Sequence, residues 1–95
     1  MPFPKQNPIP FTKEGISKLN PEQTGCYGIY RTGRWIYVGR AECIRTRLLQ
    51  HVNDTRSDIW KQNPTHVVAV VTQEHVEREK ALIMEFKPCC NQKVG

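Results

Sequence analysis

The chain has 95 residues, 38% hydrophobic and 24% charged, which is typical of one globular domain with a single modest core. No apolar stretch reaches the roughly 20 residues of a membrane-spanning helix, and the N-terminus lacks a signal-peptide pattern, so we expect a cytoplasmic protein without a membrane partner. Fourteen Lys and Arg against nine Asp and Glu leave a net charge of +5, which favours an anionic partner such as nucleic acid.

Residues 1–22 are predicted to form a proline-rich N-terminal arm. Four of the first ten residues are prolines, and each fixes φ and removes a backbone donor, which favours extended chain. Thr12 is a suitable N-cap for a short helix reaching about Leu19, although Gly15 weakens that helix and Pro21 closes the segment. Residues 23–95 are predicted to form one domain.

A β-hairpin is predicted between Gly25 and Arg40, where β-branched and aromatic residues are interrupted once, by Thr32-Gly33. If residues 31–33 form a three-residue loop with Gly33 in the left-handed bulge position, residue 30 pairs with residue 34. Tyr27 and Tyr37 then face each other across the ladder.

A helix is predicted from residue 41 or 42 to about Val52, because Ile44, Leu48 and Val52 repeat every four residues. Arg47 and His51 lie one turn apart along the flank of that stripe. Residues 53–64 are polar and are expected to form a loop.

Residues 66–72 contain a continuous apolar run, Val67 to Val71, that suits a central strand covered on both faces. The last helix is predicted from residue 73 or 74 to Lys87, where Pro88 stops it. Glu79 falls within the apolar arc of this helix, so its carboxylate must be paired, protonated or metal-bound. The expected fold class is α+β, with a small three-stranded antiparallel sheet (hairpin, helix, strand, helix) flanked by helices.

This order of elements and polar residues resembles the GIY-YIG nuclease superfamily, as a single-domain member. The resemblance covers residues 24–91. It is carried by Tyr37-Val38-Gly39-Arg40-Ala41, Arg47-Leu48, His51, Glu79, Leu82-Ile83, Lys87-Pro88 and Asn91.

Two tripeptides compete for the first family motif. Gly28-Ile29-Tyr30 matches it letter for letter but leaves only six residues before Tyr37, whereas Gly25-Cys26-Tyr27 leaves nine. Family members place about nine or ten residues between their two motif tyrosines. We therefore favour Tyr27 over Tyr30.

The resemblance implies a metal and phosphate site. Glu79 would be the sole protein ligand of one Mg²⁺ or Mn²⁺ ion, with water and a phosphate oxygen completing the coordination. Arg47 would hold a non-bridging phosphate oxygen through its planar guanidinium. Arg40 stands where a lysine is common in the family, which retains the positive charge for phosphate or nucleic-acid binding.

The resemblance also implies how the attacking water is activated. Tyr37 or Tyr27 would assist, but a free phenol has a pKa near 10 and needs help from the metal or a neighbouring base. His51 is the candidate neighbour because its unperturbed pKa lies near 6.5. Gly39 and Asn91 are expected to support the site without taking part in bond making.

Ordinary structural explanations stand beside these roles. Tyr27 and Tyr37 suit a cross-strand aromatic pair. Arg47 and His51 suit a solvated helix flank, and Glu79 suits a structural salt bridge to an arginine such as Arg47. Trp60 suits a packing contact better than base stacking.

The favoured function is a metal-dependent endonuclease that hydrolyses DNA, including branched or single-stranded DNA. The alternative is a catalytically inactive nucleic-acid-binding module of the same fold. A partner protein, a homodimer or the N-terminal arm would supply specificity, and the pathway stays open among repair, restriction, mobile elements and phage. A third, less favoured function is a metal or redox protein that uses the four cysteines, because these cysteines include no C-x-x-C pair.

Overall fold

The computed structural model describes residues 6–20 and 22–91. The elements are, in chain order, β1 (Ile9–Pro10), α1 (Lys13–Ile16), β2 (Gly25–Arg31), β3 (Arg34–Ala41), α2 (Ile44–Asn53), α3 (Asp58–Lys61), β4 (His66–Val71), α4 (His75–Phe86) and a 3₁₀ turn (Cys89–Asn91). The strands form one antiparallel sheet in the order β1-β4-β2-β3. The predicted α+β class is confirmed, and β1 is a short edge strand in addition to the three predicted strands.

The described part of the N-terminal arm packs on the sheet. Ile9 pairs with Val67 of β4, and Phe11 is buried in the core. The Thr12 hydroxyl accepts from the Gly15 backbone N–H at 3.0 Å, so the predicted N-cap is confirmed, although α1 ends at Ile16. Residues 1–5 and 21 of the predicted arm and residues 92–95 of the predicted domain lie outside the described residues.

The predicted hairpin register is wrong by two residues at the tyrosines. Arg31 pairs with Arg34, so the loop is only Thr32-Gly33, with Gly33 at φ 80°. The register then shifts between Ile29 and Tyr30, because β3 inserts one extra residue there. Tyr27 therefore pairs with Gly39, and Tyr37 pairs with Ile29. The two tyrosines are diagonal neighbours on one face instead of direct partners.

The sheet is covered on both faces. The face that carries Tyr27 and Ile29 packs against the first three helices through Ile16, Ile44, Leu48 and Ile59. The other face packs against α4, where Cys26, Val38, Val68, Val70 and Leu82 form a second buried cluster. The expectation of a central strand covered on both faces is thereby confirmed for β4.

The helices differ from prediction mainly at their ends. β3 continues to Ala41 and Cys43 is an extended N-cap, so α2 begins at Ile44. The predicted polar loop contains α3, whose N-cap Ser57 accepts from the Trp60 N–H. Lys87 adopts a left-handed conformation (φ 47°) before Pro88, which ends α4. Within residues 6–20 and 22–91, no helix has the length and apolar character needed to span a membrane.

Candidate active site

Three rings from β2, β3 and α2 form the centre of the site. The Tyr27 hydroxyl and His51 Nε2 are 2.8 Å apart, which is a hydrogen bond between the sheet and α2. The ring centroid of Tyr37 lies 6.2 Å from that of Tyr27 and 5.3 Å from that of His51. The structure thus brings together three of the predicted site residues.

Gly39 makes room for this cluster. It pairs with Tyr27, whose ring lies over the glycine. A Cβ added at residue 39 would be 2.4 Å from the Tyr27 hydroxyl and 2.9 Å from Cε2 of Tyr37. Both distances are shorter than van der Waals contact, so any larger residue would displace the tyrosines.

The surroundings set the protonation states of the three rings. Tyr27 is 1% exposed, and burial raises its pKa far above the ordinary value. Burial, with the Glu79 charge adding to it, also raises the pKa of Tyr37, while burial and the Arg47 charge lower the pKa of His51. A protonated phenol beside a neutral imidazole suits a hydrogen bond in which Tyr27 donates to Nε2.

Arg47 acts electrostatically on all three rings although it lies on the exposed side of α2. Its charge lowers the pKa of both Tyr27 and Tyr37, against the larger opposing effect of burial. A positive charge with this effect favours the deprotonated form of either phenol.

Asn91 braces the strand that carries Tyr37 and Gly39. Its Oδ1 accepts from the Val38 backbone N–H at 2.7 Å, and its Nδ2 donates to the Val38 carbonyl at 2.9 Å. The side-chain amide therefore pairs with β3 as another strand would.

Glu79 forms an ion pair with Arg40 instead of the suggested Arg47. Arg40 Nε lies 3.6 Å from Glu79 Oε1, with side chains 43% and 22% exposed, respectively. A pair so long and so exposed to water contributes little stability. The Glu79 carboxylate is thus only partly buried. Its negative charge adds to the rise in the pKa of both Tyr27 and Tyr37.

Arg40 and Arg47 line one cleft of about 350 Å³ together with Ala41, Glu42, His75 and Val76. His75 had no role in the sequence-based site, and no sequence signal links it to Arg40, because only the fold brings the start of α4 beside the end of β3. His75 Nδ1 lies 3.2 Å from the Gln73 carbonyl, which can only accept, so Nδ1 carries the proton.

Trp60 supports the site from behind instead of lining it. Its indole N–H donates to the carbonyls of His51 and Val52 at 3.0 and 3.1 Å. Its ring packs against Phe11 with a centroid distance of 5.1 Å. The packing interpretation of Trp60 is confirmed.

The donor chemistry fits a hard cation held by one carboxylate. Across residues 6–20 and 22–91, no group of three or more His, Cys, Asp or Glu side chains is arranged to hold a metal. Glu79 offers a partly exposed carboxylate, which suits an ion that keeps most of its water. None of the four cysteines forms a disulfide. Burial, with the Glu79 charge adding to it, raises the pKa of Cys26 to about 11.

Comparisons with known proteins agree with the overall fold. No protein-family model matches the chain. The crystal structure of the GIY-YIG N-terminal endonuclease domain of UvrC from Thermotoga maritima is similar, with a TM-score of 0.71 and 26% identity over 84% of this chain and 98% of that domain. The same domain bound to magnesium, its catalytic divalent cation, has a TM-score of 0.67 and 26% identity over 79% of this chain and 93% of that one.

Two curated relatives are UvrABC system protein C. The Dictyoglomus thermophilum protein is 32% identical over 75% of this chain, and the Aquifex aeolicus protein is 31% identical over 82%. The matches span only 13% and 15% of the length of those relatives.

The chain therefore has the fold of a metal-dependent nuclease domain. It belongs to the GIY-YIG nuclease superfamily. Its similarity to the UvrC endonuclease domain supports assignment as an endonuclease. The T. maritima domain has also been solved with single tyrosine-to-phenylalanine changes at three positions, which are 10 and 14 residues apart, and with one asparagine-to-alanine change.

Proposed function

We propose that this chain is an endonuclease that hydrolyses DNA phosphodiester bonds with one Mg²⁺ or Mn²⁺ ion bound by Glu79. The observation that carries the proposal is the 2.8 Å hydrogen bond between Tyr27 and His51, with Tyr37 packed beside both rings. A structural hairpin pair needs no imidazole from another element, whereas an imidazole bonded to a phenol can accept a proton during attack by water.

Residue spacing supports the same assignment. Tyr27, Tyr37 and His51 are 10 and 14 residues apart, as are the three tyrosines changed in the T. maritima domain. Tyr30 lies only seven residues before Tyr37 and packs on the α4 face of the sheet, away from His51. Tyr27 is therefore our choice for the first motif tyrosine, and His51 takes the third position.

Arg40 and Arg47 would bind the scissile phosphate. Both line the same cleft, and a guanidinium donates two parallel hydrogen bonds to phosphate oxygens. The metal, when bound at Glu79, would supply Lewis-acid stabilisation of charge on the phosphoryl group.

Tyr37 would contact the attacking water because it is more exposed than Tyr27. Tyr27 and His51 would stand behind it, and the neutral His51 can accept a proton. Burial keeps both phenols protonated at neutral pH, so the positive charge of Arg47 is needed to favour loss of the proton.

The metal assignment is tested by nicking of supercoiled plasmid in Mg²⁺ or Mn²⁺. Glu79→Gln removes a charge without removing volume and should abolish cutting while the far-UV circular dichroism spectrum is unchanged. The matched control is Glu85→Gln, an exposed glutamate on the same helix, which should cut normally. Normal turnover by Glu79→Gln would refute the role of this carboxylate.

The phosphate assignment is tested by Arg47→Ala beside Arg56→Ala, which removes an exposed arginine from the segment between α2 and α3. We expect Arg47→Ala to lower the cutting rate by about 10²-fold or more, because one lost charge-stabilising donor typically costs that much. Mn²⁺ affinity measured by calorimetry should stay unchanged. An equal loss of metal affinity would indicate a structural role near Glu79.

The second candidate is a catalytically inactive nucleic-acid-binding module. The Arg40–Glu79 ion pair favours this inactive binding module, because a carboxylate that is already paired with an arginine is less available to a metal ion. If the chain and its Glu79→Gln variant bind DNA equally and neither nicks plasmid, this second function holds. A partner protein, a homodimer or the arm would supply specificity in either case.

A further inference from the structure

His75 and Glu79 share one face of α4. They lie four residues apart, about one helical turn, so their side chains start from the same side of the helix. Both residues are partly buried, whereas residues 76–78 between them are all exposed. Leu82 follows on the same face and is buried in the cluster between α4 and the sheet. Arg40 of β3 forms its ion pair with Glu79 there. This face of α4 is therefore the one turned toward the sheet.

Helical geometry directs the Glu79 carboxylate toward His75. A helical side chain leans toward the N-terminus of its helix and covers the turn before its own Cα. The turn before Glu79 begins at His75, the first residue of α4. His75 also lines the cleft of about 350 Å³ that contains Arg40, whose Nε lies 3.6 Å from Glu79 Oε1. A cation at the Glu79 carboxylate would therefore have the imidazole as its neighbour along the helix.

The imidazole of His75 has one nitrogen without a partner. Nδ1 lies 3.2 Å from the Gln73 carbonyl, which places the proton on Nδ1 and the lone pair of the neutral ring on Nε2. Within residues 6–20 and 22–91, Nε2 makes no hydrogen bond or ion pair, and Arg45 Nε is the only buried side-chain nitrogen or oxygen without one. Nε2 is therefore accessible from solvent. Histidines that bind metals usually donate their other N–H to a carbonyl or carboxylate in this way.

A free lone pair at this position suits a cation better than a phosphate. Phosphate oxygens accept hydrogen bonds, so an Nε2 without a proton has nothing to donate to them. Arg40 and Arg47 already supply donors to the same cleft. Two ligands one helical turn apart can hold a single metal ion, as the two histidines of an H-E-x-x-H motif do.

We propose that His75 Nε2 and the Glu79 carboxylate bind the metal ion together, so that a first-row transition-metal ion such as Mn²⁺ is preferred to Mg²⁺. Mg²⁺ favours oxygen ligands and water, whereas an imidazole ligand favours transition-metal ions. Among the described residues, no group of three or more His, Cys, Asp or Glu is arranged to hold a metal, which agrees with two protein ligands. The inference rests on the proposed function in taking Glu79 as a metal ligand.

The first test is calorimetric titration of the chain with Mn²⁺, Co²⁺ and Mg²⁺, without DNA. The parent should bind Co²⁺ more tightly than Mn²⁺, and Mn²⁺ more tightly than Mg²⁺. His75→Asn removes Nε2 and should weaken binding of Mn²⁺ and Co²⁺ at least about tenfold, since loss of even an indirect partner of a metal ligand costs about 10- to 100-fold. Mg²⁺ binding should change little.

His66→Asn is the matched control for this titration. His66 is also partly buried, and its Nδ1 lies 3.1 Å from the hydroxyl of the neighbouring Thr65. It begins β4 and pairs with Tyr30, at the opposite end of β2 from Gly25. His66→Asn should bind all three ions as the parent does. Equal Mn²⁺ affinity in His75→Asn and His66→Asn would refute coordination by His75.

Nitrogen coupling to bound Mn²⁺ gives a second test, which uses the parent chain and does not depend on how a variant folds. Electron spin-echo modulation of Mn²⁺ should show a directly bound nitrogen, and the modulation should change when the chain is labelled with ¹⁵N-histidine. The chain has three histidines, so the coupling should also vanish in His75→Asn and persist in His66→Asn. Bound Mn²⁺ without nitrogen coupling, or no Mn²⁺ binding at millimolar concentration, would overturn the inference.

The outcomes separate this inference from the proposed function. If Glu79→Gln abolishes Mn²⁺ binding and plasmid nicking but no nitrogen couples to the ion in the parent, Glu79 binds the metal alone. The inference then fails while the endonuclease proposal stands. If the His75 nitrogen couples to Mn²⁺ but the parent never nicks plasmid, the two-ligand metal site stands and the endonuclease proposal fails.

Discussion

Gly39→Ala is the smallest change that should disorganise the candidate site. The new Cβ would lie 2.4 Å from the Tyr27 hydroxyl, 2.6 Å from Cζ of the same ring and 2.9 Å from Cε2 of Tyr37. Carbon and oxygen atoms in contact are separated by about 3.4 Å or more, so the Tyr27 hydroxyl must move by about 1 Å. That movement would break or lengthen its 2.8 Å hydrogen bond to His51.

The expected cost has two parts. Overpacking of a buried position typically costs about 1–3 kcal/mol. Leaving a buried hydroxyl without its hydrogen bond costs about 1–3 kcal/mol more. Because the second part requires the hydroxyl, Gly39→Ala should cost about 1–3 kcal/mol less when it is introduced into Tyr27→Phe.

Urea denaturation of the four proteins in this double-mutant cycle measures both parts. The midpoint should fall in Gly39→Ala with an unchanged m-value, and plasmid nicking should fall by more than the folded fraction does. A cost below about 0.5 kcal/mol, the level of an ordinary surface substitution, would mean that the Tyr27 ring does not lie over Gly39.

Three further predictions concern His51, Asn91 and Arg40. Because burial lowers the pKa of His51 in the folded chain below 6.5, protonation of His51 below pH 6.5 stabilises the unfolded chain. The free energy of unfolding should therefore decrease as the pH falls from 6.5 to the folded pKa, by at most about 1.4 kcal/mol per pH unit. In His51→Gln, the free energy of unfolding measured with urea should depend less on pH over this range. Asn91→Ala should cost about 1–3 kcal/mol in urea denaturation and also lower nicking, since it unpairs both backbone groups of Val38. Arg40→Gln should raise Mn²⁺ affinity up to about fivefold by calorimetry, because an exposed ion pair contributes about 0–1 kcal/mol; weaker binding would contradict competition for Glu79.

Sequence periodicity predicted the hairpin, α2, β4 and α4 because each has a strong local pattern, whereas β1 and α3, of two and four residues, are too short to show one. The four-residue repeat of α2 placed Arg47 and His51 on one flank, and the apolar run of β4 was placed within one residue. The hairpin register was not predictable in the same way. It depends on an extra residue opposite Ile29 and Tyr30, and a bulge leaves no mark in a run of uniformly β-forming residues.

The candidate site was predictable in composition but not in its contacts. The spacing of the tyrosines favoured Tyr27 over Tyr30, and so did the predicted hairpin register, although that register is wrong; the two rings lie on different faces of the sheet. The partner of Glu79 was not predictable, because Arg40 reaches it from a strand and no local pattern links strand to helix positions. The pairing of the Tyr27 hydroxyl with His51 likewise requires the three-dimensional fold.

At two places a side-chain amide occupies the backbone hydrogen-bonding groups of a strand, which affects how a partner could bind to the sheet. Gln6 pairs with the backbone of Ala69 in β4 at 2.7 and 3.0 Å, as Asn91 pairs with Val38 in β3. A side-chain amide satisfies the donor and acceptor that an added strand would use, so these positions resist strand-to-strand association. A partner that adds a strand to this sheet would therefore have to displace the Gln6 or Asn91 amide to pair at Ala69 or Val38.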